Sequence, residues 1–316
     1  MKALVFQDNQ LQLIEKPRPV PVADQVLIRV KWAGICNTDL EITRGYLGFN
    51  GVLGHEFMGI VHEDPAGQLQ GQRVTGSINL PCGSCDACRQ GRVNHCIKIK
   101  VIGIKARDGA FAEYMTLPRA NIHRLPAEIS DQEAVFIEPL AAGIEIVEKN
   151  HLKPTDRILV LGDGKLGLLT ALALWAMGYH IHLAGKHQHK LKIVRQLEIP
   201  TFTAETISGN FDVVIDCTGS VSGLEMALDL VRAEGKIILK TTITKPIALD
   251  ISKAAVNEIT ISGSRCGPFE PALRLLRRNK LPITALIDCV YPLEQGVKAF
   301  ARASEKGVLK VLLKIF

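Results

Sequence analysis

Up to about residue 120 the apolar positions come in short runs, as in Val26-Leu27-Ile28-Arg29-Val30-Lys31, where they alternate with polar ones between Gly and Pro residues. This is the rhythm of short, half-buried strands. Ser130 and Glu133 form a capping box ahead of an apolar stretch, which predicts a helix beginning there and disturbed one turn later by Pro139. From Arg157 the rhythm changes. Buried runs at Ile158–Leu161, Tyr179–Ala184 and Phe211–Asp216 are separated by helical patterns, the first reaching Met177. A helix between Val221 and Val231 and strands at Gly235–Lys240 and Ile259–Gly263 continue the alternation, which predicts an α/β region with a parallel sheet. The last segment, Leu286–Phe316, carries an amphipathic helix, Leu293–Ala303, and a final apolar strand, Val308–Ile315. Periodicity alone leaves open which sheet receives that strand.

Composition adds a size and a class. The 316 residues are 47% hydrophobic and 22% charged, with 27 glycines and 15 prolines. This is ordinary globular usage that excludes disordered, collagenous and coiled-coil classes and is long enough for two domains. The net charge of +6 is spread among acids, and the densest basic stretch, Arg274–Lys280, falls at the end of an expected helix opened by Pro268 and Pro271. Cations there complement the helix dipole, and the pattern predicts no nucleic-acid partner. The N-terminal apolar run is too short for a signal peptide. The longest apolar stretch, Leu166–Tyr179, is shorter than the roughly 18 residues of a membrane helix. No membrane partner is expected, and the predicted location is cytoplasmic.

Four of the eight cysteines, Cys82, Cys85, Cys88 and Cys96, are clustered. In a chain without an export signal this spacing points to a metal site with four thiolates closing a tetrahedron around structural zinc. An iron–sulfur cluster is the rival, but the long final spacing and the turn residues Gly83, Ser84, Arg89 and Gly91 suit zinc better. His95 is surplus to four ligands.

A dinucleotide fingerprint, Gly162-Asp163-Gly164-Lys165-Leu166-Gly167, follows a buried strand and opens a helix. Gly162 permits the tight turn, Gly164 lets the backbone approach a pyrophosphate, and Gly167 lets helix and strand pack closely. NAD enzymes place an acid about 20 residues on, at the end of the second strand, for the ribose hydroxyls. That corner reads Gly185-Lys186-His187. Lys186 and His187 suit a 2′-phosphate, so NADP(H) is favoured over NAD(H). Thr218 and Gly219, in Asp216-Cys217-Thr218-Gly219, close the next strand where a nicotinamide could lie.

A further set is dispersed: Gly34-Ile35-Cys36-Asn37-Thr38-Asp39, Gly54-His55-Glu56 and Glu138-Pro139-Leu140. Singly, each has a bland explanation, as a buried thiol, a core histidine and a helix-surface carboxylate. Together with Gly71-Gln72-Arg73-Val74, the cysteine lobe and the fingerprint, in this order over nearly the whole chain, they resemble the zinc-dependent medium-chain dehydrogenase/reductases, the alcohol and polyol dehydrogenases.

The resemblance implies a GroES-like β-rich catalytic domain over residues 1–125, rejoined by 285–316, and a Rossmann doubly wound parallel sheet over 126–284. It implies a catalytic zinc on Cys36, His55 and Glu138, with Glu56 as a possible exchanging ligand, and a second, structural zinc in the cysteine lobe. Asp39 would orient His55, and Thr38 would contact the reacting oxygen. It further implies hydride transfer between an alcohol, polyol or sugar, or the matching carbonyl, and a nicotinamide cofactor, in a homodimer or homotetramer. Glu41 departs from the histidine that many alcohol dehydrogenases place in their proton relay, and the connection from His62 to Gly71 is tight. Two other readings of the same residues are a zinc-stabilised nucleotide-binding scaffold without turnover and a zinc-free enone or quinone reductase. The complete set at 36, 55 and 138 weighs against the first. The cysteine lobe and Gly-His-Glu weigh against the second.

Overall fold

The computed structural model describes residues 1–240 and 248–316. The chain divides into two compact units, Met1–Glu138 with Ile287–Phe316, and Pro139–Leu286.

The first unit is built on a seven-stranded sheet. Its central strand, Gln25–Gly34, pairs antiparallel with Glu56–Glu63, with Tyr114–Pro118 and with the C-terminal strand Lys310–Lys314. Alternation along the central strand is incomplete, since Leu27 is buried with Val26, Ile28 and Val30. Register shifts at Leu27/Ile28 and Val30/Trp32 break the two-residue period, as bulges do. The strand that periodicity left unassigned therefore returns to this unit, where it also pairs in parallel with Ile287–Pro292. A smaller sheet joins Lys2–Gln7 to Gln10–Glu15 and Gly51–Val52.

The capping box forms as expected, with Ser130 Oγ accepting from the Glu133 amide at 3.3 Å and the Ser130 amide donating to Glu133 at 2.8 Å. The helix it opens, Asp131–Ala134, stops before Pro139, however, and a new helix runs Ile137–Lys149. Pro139 lies in the first turn of that helix, where an amide has no intrahelical acceptor, so the proline is accommodated without a kink.

The second unit is a six-stranded sheet of entirely parallel strands. In spatial order they are Thr201–Phe202, His180–Ala184, Arg157–Leu161, Phe211–Asp216, Val231–Leu239 and Thr260–Gly263. Numbered along the chain this is 3-2-1-4-5-6, the order that places dinucleotides at the carboxyl ends of the two central strands. Two-residue Thr201–Phe202 is too short to register as a period in the sequence. Helix Lys165–Ala176 is apolar on every side, and Gly167–Leu174 are all buried. Among the described residues no helix is long and apolar enough to cross a membrane.

Candidate metal centres and dinucleotide loop

Cys36 ends the central strand's exit and serves as N-cap of the short helix Asn37–Ile42. Its amide donates to Asp39 Oδ2 at 2.8 Å, and the same carboxylate's Oδ1 accepts from the Gly54 amide at 3.2 Å. Asp39 thus ties together the two turns that carry Cys36 and His55. Asp39 Oδ1 also lies 3.3 Å from His55 Nδ1, an ion-pair distance without hydrogen-bond geometry. Burial opposes a charge on His55, but Asp39 and Cys36 outweigh it and hold its pKa well above that of an ordinary histidine. Thr38 Oγ1 sits 3.8 Å from Cys36 Sγ.

Donor atoms of Cys36, His55 and Glu56 lie within 4.8 Å of one another. Glu56 Oε1 is buried and, among the described residues, has no hydrogen-bond partner. Such an atom in a thiol, imidazole and carboxylate set fits a divalent metal such as zinc. The other oxygen, Oε2, accepts from Lys310 Nζ, and the two side chains are 1% and 0% exposed. Burial works against the ammonium of Lys310. Glu56, with Cys36 and Glu138, more than compensates and raises its pKa. Glu138, in the first turn of its helix, is outside the mutually close trio, so the structure brings Glu56 rather than Glu138 up to Cys36 and His55. Glu41 is engaged by Arg44 at 2.6 Å.

Lys310 was not foreseen. It stands in an apolar C-terminal strand, and nothing local in the sequence signals that it is buried against a carboxylate more than two hundred residues earlier. One indirect trace exists at Gly34, where a Cβ would come within 2.6 Å of Glu56 Oε2, 2.8 Å of Val135 and 3.4 Å of the Lys310 stem.

The four thiols of Cys82, Cys85, Cys88 and Cys96 also lie within 4.8 Å of one another. A tetrahedron of ~2.3 Å Zn–S bonds sets sulfurs ~3.8 Å apart, so the cradle fits the ion. Cys85 and Cys88 are 3.5 Å apart, well beyond a disulfide. Hydrogen bonds from Ser84 draw the Cys82 thiol down to about 5, whereas burial and the neighbouring thiols push Cys88 up to about 12. His95 is exposed, beside the cluster rather than in it.

In the second unit, Gly162 has φ +110°, and a Cβ there would meet the Cys217 carbonyl at 2.9 Å. Gly167 would place a Cβ 1.9 Å from the Gly162 carbonyl oxygen. Both glycines are therefore required by the chain itself. A Cβ on Gly164 would meet nothing within 4 Å, so this glycine leaves open space beside the first turn of helix Lys165–Ala176, whose N-cap it is. Open space at uncapped helix amides suits a pyrophosphate. Lys165 and Leu166 form that first turn. Thr218 is fixed by two bonds to Asp216 Oδ1, from its amide at 2.9 Å and its hydroxyl at 2.7 Å, and Gly219 follows at φ +71°. Burial pushes the Cys217 thiol up to about 12.

The Gly185-Lys186-His187 corner is engaged by Asp163, the second residue of the fingerprint. Asp163 Oδ2 accepts from the amides of Lys186 at 2.7 Å and His187 at 2.6 Å, with the His187 ring Nδ1 at 3.1 Å. Sequence reading assigned Lys186 and His187 but gave Asp163 no role.

Comparison with known proteins identifies the family. The alcohol dehydrogenase GroES-like domain family matches residues 22–127, and the zinc-binding dehydrogenase family matches 166–278. Sorbitol dehydrogenase of Halalkalibacterium halodurans is 30% identical, the alignment covering 99% of each chain. Among solved structures, a protein described as a zinc-binding dehydrogenase from Sinorhizobium meliloti, bound to NADP, is similar with a TM-score of 0.91 at 27% identity over 99% of each chain. The rspB alcohol dehydrogenase from Escherichia coli CFT073, complexed with NADH, is similar with a TM-score of 0.91 at 26% identity, covering 100% of this chain and 99% of its own.

Proposed function

The chain belongs to the zinc-type medium-chain dehydrogenases, and we propose that it transfers a hydride between a polyol or sugar alcohol, or the matching carbonyl, and a nicotinamide cofactor, with NADP(H) favoured over NAD(H). The observation that carries the reading is the convergence of Cys36, His55 and Glu56 around a buried, unpartnered carboxylate oxygen.

Two zinc ions per chain are part of the proposal. The lobe of Cys82, Cys85, Cys88 and Cys96 would hold one by four thiolates, a closed site that supports folding. Cys36, His55 and a carboxylate would hold the other, with Glu56 placed to serve as that carboxylate and Glu138 as its exchange partner. Zinc at such a site supplies Lewis acidity that lowers the pKa of a substrate hydroxyl, and the nicotinamide supplies the hydride acceptor. The protein's own residues do the positioning. Asp39 fixes the turn of Cys36 and places a carboxylate beside the His55 ring. Thr38 takes the hydroxyl proton at Oγ1. The loop of Gly162, Gly164 and Gly167 leaves room for a pyrophosphate, Lys186 and His187 would meet the 2′-phosphate, and Thr218 with Gly219 would border the nicotinamide. The sorbitol relative favours polyols as the substrate class. A cytoplasmic homodimer or homotetramer completes the proposal.

The test is metal content per chain on the wild type, Cys36→Ser, Glu56→Gln and Glu138→Gln, followed by turnover of a polyol panel with each cofactor. Two zincs falling to one in Cys36→Ser, with turnover lost, is the expected result. One zinc, unaffected by Cys36→Ser even after added zinc, together with no turnover of any polyol, would overturn the reading.

A further inference from the structure

A carboxylate beside the adenosine ribose normally selects NAD(H), because it accepts from the ribose hydroxyls and repels a 2′-phosphate. This chain has a carboxylate at that corner, Asp163, but it is turned inward. Its side chain is 10% exposed. Oδ2 is filled by the Lys186 and His187 amides, and His187 Nδ1 lies 3.2 Å from Oδ1. The space over Gly185 is what admits it, since a Cβ there would sit 2.4–2.7 Å from the Asp163 side chain. Lys190, also buried, adds a positive charge close by.

The arrangement has two consequences. First, the charge of Asp163 is balanced by oriented N–H groups and Lys190, so little of it is directed at an incoming phosphate. Second, the loop after strand His180–Ala184 is fastened to the loop after strand Arg157–Leu161, so that the backbone of Lys186 and His187 and the His187 ring are held relative to the pyrophosphate loop itself.

We propose that Asp163 is a specificity-positioning residue, an inward-facing acid that braces the Gly185-Lys186-His187 corner for a dinucleotide bearing a 2′-phosphate. The inference rests on the NADP(H) reading above and extends it to a residue within the glycine loop. It makes Asp163 and Gly185 one device: the glycine gives the room, and the acid uses it to set the loop.

The experiment measures dissociation constants of NADP⁺ and NAD⁺ by calorimetry on the full-length, zinc-loaded protein, for the wild type, Asp163→Ala, Asp163→Asn and Gly185→Ala. Wild-type preference tests the cofactor reading by itself, and a wild type that binds NAD⁺ more tightly refutes that reading whatever the variants do. The inference is tested by the change in the ratio. Asp163→Ala removes every acceptor and is expected to weaken NADP⁺ about ten-fold while changing NAD⁺ by less than about three-fold, as expected for loss of charge-assisted hydrogen bonds at one corner. Asp163→Asn keeps an oxygen for the two amides and is expected to bring the ratio back to within about three-fold of wild type. Gly185→Ala pushes the acid aside without removing it and is expected to behave as Asp163→Ala, which keeps the test decisive if the latter does not fold. Equal weakening of both cofactors in Asp163→Ala and Gly185→Ala would reduce Asp163 to a purely structural brace and overturn the proposal. Tighter NADP⁺ binding in both Asp163→Ala and Asp163→Asn would overturn it too, because the acid would then act as a repelling charge.

Discussion

Replacing Lys310 by Met keeps the apolar stem and removes only the ammonium that bonds Glu56. Both side chains are essentially inaccessible to solvent, at 0% and 1% exposure, so no water can take over the vacated position without opening the sheet. In the zinc-free protein, removing one partner of this buried pair leaves the other charge uncompensated, which costs about 3–5 kcal/mol. The contact of Lys310 Nζ with the Phe136 ring, 5.8 Å to its centre, adds a minor loss. At about 2–4 °C per kcal/mol for a unit of this size, the melting temperature should fall by roughly 6–20 °C. The matching double variant, Lys310→Met with Glu56→Gln, removes the stranded charge and should recover about half of the loss. The assay is thermal and urea unfolding of wild type, both single variants and the double, closed as a cycle. A Lys310→Met protein within about 0.5 kcal/mol of wild type, or a double variant no more stable than Lys310→Met, would refute the argument that this pair is desolvated and mutually dependent.

The tight connection after His62 supplies a pH prediction. Burial alone would raise the pKa of Asp64, but the Leu69 and Ala66 amides at 2.7 and 3.2 Å, with Arg119, hold it below the ordinary 3.8. A depressed folded-state pKa contributes stability that is fully present above the unfolded value and is lost as pH falls through the folded one. Urea midpoints of the wild type should therefore drop more steeply below pH 4 than those of Asp64→Asn; parallel curves would exclude the mechanism. In the glycine loop, Gly167→Ala drives a Cβ to 1.9 Å from the Gly162 carbonyl oxygen and should destabilise by about 3 kcal/mol or more. Gly164→Ala meets no atom of the chain, so it should melt like wild type yet bind dinucleotide more weakly; equal melting temperatures for the two variants would contradict the packing argument. Cys88→Ser leaves three thiolates in the lobe and should lower zinc content by one per chain and reduce the melting temperature, measured by metal analysis and calorimetry. Full zinc retention would remove Cys88 from the ligand set.

Much of the fold was legible because its signals are local. The parallel sheet announces itself in buried runs such as Ile158–Leu161 and Phe211–Asp216, and the capping box at Ser130 forms with both bonds in place. Pro139 misled because a proline stops a helix only where an amide would be bonded, and the true break, at Val135–Phe136, moved the proline into a first turn. Thr201–Phe202 escaped notice because two residues carry no period. The four-cysteine lobe was readable for the opposite reason: its ligands are so close in sequence that spacing alone brings them together.

The dispersed site obeys a different logic, and Gly34 shows it. In the sequence Gly34 is one letter of Gly-x-Cys, two residues before a candidate ligand. In the structure its missing side chain is filled from three directions, by Glu56, Val135 and Lys310. Alanine there would have to displace a bonded carboxylate and a packed methyl at 2.6 and 2.8 Å together, and moving the carboxylate disturbs the Glu56–Lys310 bond. The motif glycine, the carboxylate after His55 and a lysine in the last strand are thus one packing unit. Only the first two fall inside recognisable motifs, since a lysine in an apolar strand reads as a surface position until the strand's partner is known. The same holds for Asp163, which stands inside the fingerprint but works on the corner after the next strand. In both places a residue's role is set by what tertiary pairing brings opposite it. Exchanging Gly34 for alanine should therefore perturb Lys310 as much as Cys36, which unfolding of Gly34→Ala in the Lys310→Met background would reveal: the second substitution should cost far less than it does in the wild type.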